Sequence, residues 1–209
     1  MMTAAKNPYL MFSVDDVQVL SRNTVYSGFA EIEQIEIRHR LFEDQSFSKP
    51  IQRELVRRPE AAGVLLYDSK QQLFALIEQF RIGAIDDTDS AWQLEIVAGL
   101  VDEGETAEDT VIREALEEAG TQIENPQFIF SFYPSAGASN ELFHLYAADT
   151  ELSHTNQIFG VMDEAENIRL HVLKYEQLHK LLSQATYLKN SPVIIALQWL
   201  AMQCSPAKQ

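Results

Sequence analysis

Apolar and polar positions alternate along the first third of the chain. Val17 to Phe42, "VQVLSRNTVYSGFAEIEQIEIRHRLF", carries β-branched and aromatic residues in partial alternation and predicts two or three strands. Lys49-Pro50 interrupts the pattern, and Ile51 to Arg57 resumes it as a further strand. Ala61 to Tyr67 and Leu73 to Gln79 predict a strand pair around the turn residues Asp68, Ser69 and Lys70. The polar loop "RIGAIDDTDSA" leads to a strand at Trp92 to Ala98. Further strands are expected near Phe128 to Tyr133, Leu142 to Ala147 and Ile168 to Leu173. Helices are expected at Tyr175 to Ala185 and at Pro192 to Met202, with Ser191 as cap and Pro192 at the first helical position. Strands, one central helix, more strands and terminal helices make an α+β chain, not alternating βαβ.

The central helix lies in Gly99 to Gly120, "GLVDEGETAEDTVIREALEEAG", which packs eight carboxylates and one arginine into twenty-two residues. Thr106 to Asp109 resembles a capping box, so the helix should start near Ala107 and stop at Gly120. Ala107, Val111, Ala115, Ala119, Ile112 and Leu116 cover one broad apolar arc. Glu114, Glu117 and Glu118 fall together at its edge, three and four positions apart, and Glu118 projects between Ala107 and Val111. Arg113 can pair with Glu117 and offsets part of the charge. Like charges repel at this spacing, the more so where apolar neighbours exclude water. A divalent cation relieves that conflict: carboxylates, backbone carbonyls and waters form the hard-oxygen set that Mg²⁺ or Mn²⁺ prefers. The plainer reading, a solvated acidic face, leaves the clustering beside apolar residues unexplained.

The whole chain has 209 residues with a formal charge of -15, so a general nucleic-acid partner is not expected. An anionic ligand would need local arginines or metal ions. Cys204 is the sole cysteine, which excludes an intrachain disulfide and suits a reducing compartment. The amino terminus shows neither signal-peptide pattern nor membrane span, so a soluble, cytoplasmic protein is expected.

Gly99, five residues, Glu105, seven residues, then "REALEEAG" at Arg113 to Gly120 resembles the Nudix box. Thr121 stands where a bulky aliphatic is usual, and a packing effect is expected from it. The resemblance implies a Nudix fold, an α/β/α sandwich with a mixed sheet. It also implies hydrolysis of a nucleoside diphosphate linked to another group. Glu114 and Glu118 would then be the principal metal ligands, with Glu117 joining for a second metal and the Ala98 carbonyl as a further ligand. Arg113 and Glu105 would orient them.

Similarity continues outside the box. "IQRELVRR", "IEQFRIGA", "WQLEIVAGLVDEGE", "MDEAENIRLHV" and "SPVIIALQWL" resemble the bacterial ADP-ribose pyrophosphatase branch. That resemblance implies a small β domain, residues 1–57, exchanged within a homodimer, and a Nudix domain, residues 58–209. Arg53 and Arg81 match substrate-contacting positions, although lone arginines on strand ends also serve as surface ion-pair partners. Phe29 is placed to stack on adenine or, equally, to pack in a core. Glu141 matches a loop acid near the substrate. Glu164 matches the general base, with Glu166 as understudy and Asp163 beside them, in a stretch that could otherwise be a solvated turn. Ala136 stands where ADP-ribose hydrolases carry proline, which leaves another sugar nucleotide, such as GDP-mannose, open as substrate. A non-catalytic nucleotide-sugar sensor is the contrasting reading, but no box glutamate is missing and no output domain is evident.

Overall fold

The computed structural model describes residues 7–153, 157–160, 167–184 and 186–204. The chain divides into two compact units, Met1–Arg58 with Ser135–Asn140, and Pro59–Pro134 with Glu141–Gln209.

In the first unit, β1 (Val17–Ser27), β2 (Glu31–His39) and β3 (Ile51–Arg57) form an antiparallel sheet in that order. The Val17 to Phe42 stretch therefore holds two strands. Glu33 and Ile35 of β2 are the buried residues of this sheet, and every residue of β1 is exposed, Val17, Val19, Leu20, Val25 and Tyr26 included. Burial this thin gives little hydrophobic stabilisation. Charge compensates in part: Glu33 sits between Arg22 of β1, at 3.1 Å, and Arg57 of β3, at 2.5 Å, so one carboxylate ties all three strands.

The second unit is built on a mixed sheet of eight strands among the described residues. Its path runs β10 (Ile158–Phe159), β11 (Ile168–Lys174), β5 (Leu73–Phe80), β4 (Ala61–Asp68), β9 (Phe143–Asp149) and β8 (Gln127–Phe132). Only β4 and β9 pair in parallel; the other pairs are antiparallel. β4 and β5 pair at Tyr67–Phe74 and Asp68–Leu73 beside their turn, and β6 (Trp92–Glu95) then takes up β5 while β7 (Val97–Leu100) takes up β4. The single strand expected at Trp92 to Ala98 is thus two, broken at Ile96, because consecutive halves must follow two diverging neighbours.

Helices cover both faces. α1 (Ala107–Ala119) packs on one; α2 (Leu178–Ser183), reached through a 3₁₀ turn at Tyr175–Gln177, and α3 (Ser191–Cys204) pack on the other. Alternation along the central strands sorts the core between them. Ala61, Leu65, Phe74 and Leu76 face α2 and α3, whereas Ala62, Val64, Leu66, Ala75 and Ile77 face α1. A strand buried on both faces reads as a continuous apolar run, as "AAGVLLY" does. α3 begins at Ser191, one residue before the expected start, and Asn190 supplies the carbonyl for Ile194 N. The expected helix to Ala185 shortens to Ser183; Ala185 lies outside the described residues.

Leu65 is fully buried in the cluster under α2 and α3. Leu65→Ala is expected to cost about 2–5 kcal/mol of unfolding free energy, read as a lower urea midpoint at unchanged slope. A loss below about 1 kcal/mol would mean that the sheet relaxes around the void.

Candidate active site

β7 feeds α1 through a short acidic loop. Gly104 takes φ 89°, a left-handed conformation that suits glycine. Thr106 then closes a reciprocal capping box: its hydroxyl accepts from Asp109 N at 3.1 Å, and the Asp109 carboxylate accepts from Thr106 N at 3.1 Å. At the far end Gly120 adopts φ 60°, its N–H reaching Leu116 O and Thr121 N reaching Ala115 O, each at 3.0 Å. Thr121 is buried and gives its hydroxyl to Ala119 O at 3.1 Å. A hydroxyl so used replaces aliphatic packing at the helix end without reaching the carboxylates.

The buried residues of α1 are Thr110, Val111, Ala115, Glu118 and Ala119. Ile112 and Leu116, expected on the apolar arc, are exposed. The arc is displaced because the helix lies on β7 and β4 with Glu118 inside its contact face. Glu118 is only 3% exposed and accepts a hydrogen bond from Ala98 N at 3.0 Å. Glu114 turns to the next residue: a Cβ on Gly99 would stand 1.7 Å from its Oε1. Both carboxylates therefore converge on the Ala98-Gly99 backbone, and glycine at 99 makes the room.

Arg113 organises the remaining acids. Its Nε and Nη2 grip Glu105 at 3.0 and 3.1 Å; Nη1 reaches Glu114 at 2.6 Å and Glu117 at 3.2 Å; Nη2 also reaches Leu100 O at 3.3 Å. A guanidinium has five N–H donors, and these contacts use all of them. Arg113 thus positions carboxylates and has no donor left for a substrate. Its hydrogen bonds hold the Glu105 carboxyl well below the usual range, at about 2, and Glu105 in turn raises the Arg113 pKa. Among the described residues no three His, Cys, Asp or Glu side chains close into a metal cage. The donor set still suits a hard cation: two carboxylates meet at the Ala98-Gly99 step, in a cradle that a Cβ at Gly99 would fill.

The other sequence-selected residues fall elsewhere. Phe29 is 90% exposed at the β1–β2 turn, with the Arg58 guanidinium 5.5 Å from its ring centroid, so it is no core residue. Arg53 is exposed on β3 and donates to Gln52 O at 2.8 Å. Glu141 is half-buried just before β9. Asp163, Glu164 and Glu166 lie outside the described residues. Arg81 makes a forked pair with Glu95, 3.0 Å from Nε and 2.7 Å from Nη2.

Residues 57–194 match the NUDIX domain family. The chain belongs to the NUDIX family. Two ADP-ribose pyrophosphatases are similar to it over nearly their whole length. That of Escherichia coli (strain K12) is 37% identical over 191 residues, 91% of this chain and 90% of the relative. That of Haemophilus influenzae (strain ATCC 51907 / DSM 11121 / KW20 / Rd) is 35% identical over 201 residues, 95% and 92%. A GDP-mannose pyrophosphatase of Cronobacter sakazakii (strain ATCC BAA-894) is 31% identical over 153 residues, 72% and 78%. A crystal structure of an ADP compounds hydrolase matches at TM-score 0.68 and 19% identity, covering 92% of this chain and 98% of that chain, which is a likeness of fold.

Within this NUDIX fold, the sequence reading missed Glu95. It is buried on β6, and besides Arg81 it accepts from Asn190 Nδ2 at 3.0 Å and from Gln79 Nε2 at 3.4 Å. The available signal was an acid between Leu94 and Ile96 in an apolar strand, a place where a carboxylate requires a partner.

The depressed Glu105 carboxyl sets a pH dependence. Its stabilising contribution is fully present above the unfolded value of 4.5 and is lost as pH falls toward about 2. Urea titrations of the parent and Glu105→Gln should differ most above pH 5 and converge near pH 2. An equal difference at pH 6 and pH 2.5 would remove the ion pair from this account.

Proposed function

We propose that this chain hydrolyses the diphosphate bond of ADP-ribose to give AMP and ribose 5-phosphate, using a bound divalent cation, Mg²⁺ or Mn²⁺. The observation that carries the reading is the convergence of Glu114 and Glu118 on Ala98-Gly99, with Arg113 holding Glu105, Glu114 and Glu117. The names and coverage of the similar pyrophosphatases support the substrate, and the GDP-mannose pyrophosphatase matches over a smaller share of the chain.

A diphosphate repels nucleophiles, so its charge must be offset before water can attack phosphorus. Glu114 and Glu118 would hold the cation, with the Ala98 carbonyl as a further ligand and Glu117 joining for a second ion. When bound, the cation supplies Lewis-acid stabilisation of the phosphoryl oxygens. Arg113 and Glu105 keep the carboxylates in place. Glu164 would take the proton of the attacking water, with Glu166 as its understudy, while the anhydride P–O bond breaks. Arg53, Arg81, Phe29 and Glu141 would contact the nucleotide sugar.

The unit carrying β1 to β3 would serve as a swapped arm of a homodimer. The fully exposed β1 supports this, since its apolar residues find no cover within their own sheet. Sedimentation should give a dimer at micromolar concentration; a monomer would remove the shared-site arrangement. A cytoplasmic setting is consistent with the single cysteine, and no helix among the described residues is long and apolar enough to cross a membrane.

The reaction is tested by a panel of ADP-ribose, GDP-mannose, NADH and nucleoside triphosphates with Mg²⁺. ADP-ribose should have the highest kcat/KM. Glu118→Gln, which keeps shape and removes charge, should lower turnover on the order of 10²-fold or more. Glu164→Gln should lower it roughly 10²- to 10⁴-fold, the usual range for a positioned base. Full activity in a folded Glu118→Gln protein would sink the cation cradle, and a preference for GDP-mannose would reassign the substrate.

A further inference from the structure

Among the described residues, two buried carboxylates of the second unit lie outside α1. Asp68 closes its own turn, accepting from Lys70 N at 3.0 Å and Gln71 N at 2.8 Å. Glu95 takes side-chain donors instead, from Arg81, Asn190 and Gln79. Strand alternation fixes where this network stands. Glu95 of β6 is the cross-strand partner of Ile77 on β5, and Ile77 packs under α1. Gln79 and Arg81 follow two and four residues later in extended backbone, so they continue the same face. Arg81 therefore emerges on the side of the sheet that carries the α1 carboxylates.

Burial within the pair is unequal. The Glu95 side chain is 6% exposed and that of Arg81 44%, so the carboxylate is locked in the protein while the guanidinium stays open to solvent. Two parallel contacts, Nε to Oε1 at 3.0 Å and Nη2 to Oε2 at 2.7 Å, fix the plane of that guanidinium. The root of the side chain is held as well. Arg81 N donates to Ala91 O at 2.9 Å, and Lys189 clamps Asp87 and Asp89 of the intervening loop at 2.6 and 2.7 Å. Asn190, immediately before α3, comes from the opposite helical layer. Its Nδ2 donates to Glu95 at 3.0 Å, whereas its Oδ1 is buried without a hydrogen-bond partner among the described residues. The amide is thus turned to serve the carboxylate. An arginine held in one plane loses little rotamer freedom when it meets a ligand; a loose one loses much.

We propose that Glu95 is a positioning residue, which presents the Arg81 guanidinium in one orientation to the nucleotide sugar and is itself held by Asn190 and Gln79. This role rests on the reading of Arg81 as a substrate contact. Glu95 touches no reacting atom and acts through Arg81.

The test is steady-state hydrolysis of ADP-ribose at saturating Mg²⁺ by the intact protein and four variants: Glu95→Gln, Asn190→Ala, Arg81→Met and the double variant Arg81→Met/Glu95→Gln. Glu95→Gln sets an amide N–H against donors it cannot accept from, and should raise KM roughly tenfold with kcat within about twofold of the parent. Asn190→Ala should raise KM about two- to threefold, since one of the bonds to Glu95 is lost. The double variant should match the KM of Arg81→Met within about twofold, because without the guanidinium Glu95 has nothing to aim. A merely structural Glu95 would reduce the folded fraction, lowering kcat at unchanged KM, and that result would overturn the proposal. So would additive effects in the double variant, or a changed Mg²⁺ concentration for half-maximal rate in Glu95→Gln, which would place its action at the carboxylates. A parental KM in Arg81→Met would remove the substrate contact and this role with it. A raised KM in Arg81→Met beside parental values in Glu95→Gln and Asn190→Ala would leave the contact standing and remove the positioning role alone. Should Glu95→Gln fail to fold, Asn190→Ala and its combination with Arg81→Met decide the matter by the same comparison.

Discussion

The carboxylate site depends on one guanidinium. Glu114, Glu117 and Glu118 stand three and four residues apart on a helix that also buries Val111, Ala115 and Ala119, so their mutual repulsion acts where water is partly excluded. Arg113 answers by spending every N–H on the loop and helix that surround it. Through Glu105 and Leu100 it fastens the β7–α1 loop, and through Glu114 and Glu117 it sets two carboxylates on the helix edge. Because it is saturated, its contribution is geometric, and contacts to an anionic substrate must come from other residues.

What Arg113 holds is placed by the sheet. β4 runs through the middle with both faces buried, so a one-residue slip would exchange the side chains that fill the two clusters, Ala61 and Leu65 for Ala62, Val64 and Leu66, and spoil the packing of both. Gly63 shows how tight the centre is: a Cβ there would come within 2.6 Å of the Phe143 ring and 3.0 Å of Ala98 Cβ. β7 is registered on β4 with Ala98 opposite Gly63 and Gly99 opposite Ala62. The backbone step that receives Glu114 and Glu118 is thus pinned from below by the core strand and from above by α1. Site and core share the same residues, and a change in β4 packing is a change in carboxylate position.

Local signals were legible in the sequence. The capping box at Thr106–Asp109, the glycine stop at Gly120, the apolar runs of β4 and β5 and the clustering of acids on one helix edge all act through near neighbours. Non-local choices were not. The break at Ile96 arises because β4 and β5 diverge, which no periodicity in "WQLEIVAG" encodes. Ile112 and Leu116 continue the apolar arc on paper, yet the helix rolls to bury Thr110 and Glu118 instead. The pairing of Arg81 with Glu95 joins strand ends fourteen residues apart and includes Asn190, ninety-five residues further on. Sequence shows three polar residues; only packing makes them one network.

The segment around Ala136 belongs to a different unit from the strands that flank it in sequence, β8 and β9. Ala136 lies in Ser135–Asn140, which packs with the first unit. Val56 N donates to Ala138 O at 2.8 Å, Asn140 N returns to Val56 O at 3.3 Å, and the Asn140 side chain accepts from Arg58 N at 2.9 Å. This segment is therefore an added partner for β3, the strand that carries Arg53. The turn is closed by Ala138 N and Ser139 N, which donate to Ser135 O at 3.1 and 2.9 Å, and not by the N–H of residue 136. Arg81 and Glu141 belong to the unit that carries the carboxylates, Phe29 and Arg53 to the other, so the residues proposed to contact the substrate are divided between the two units.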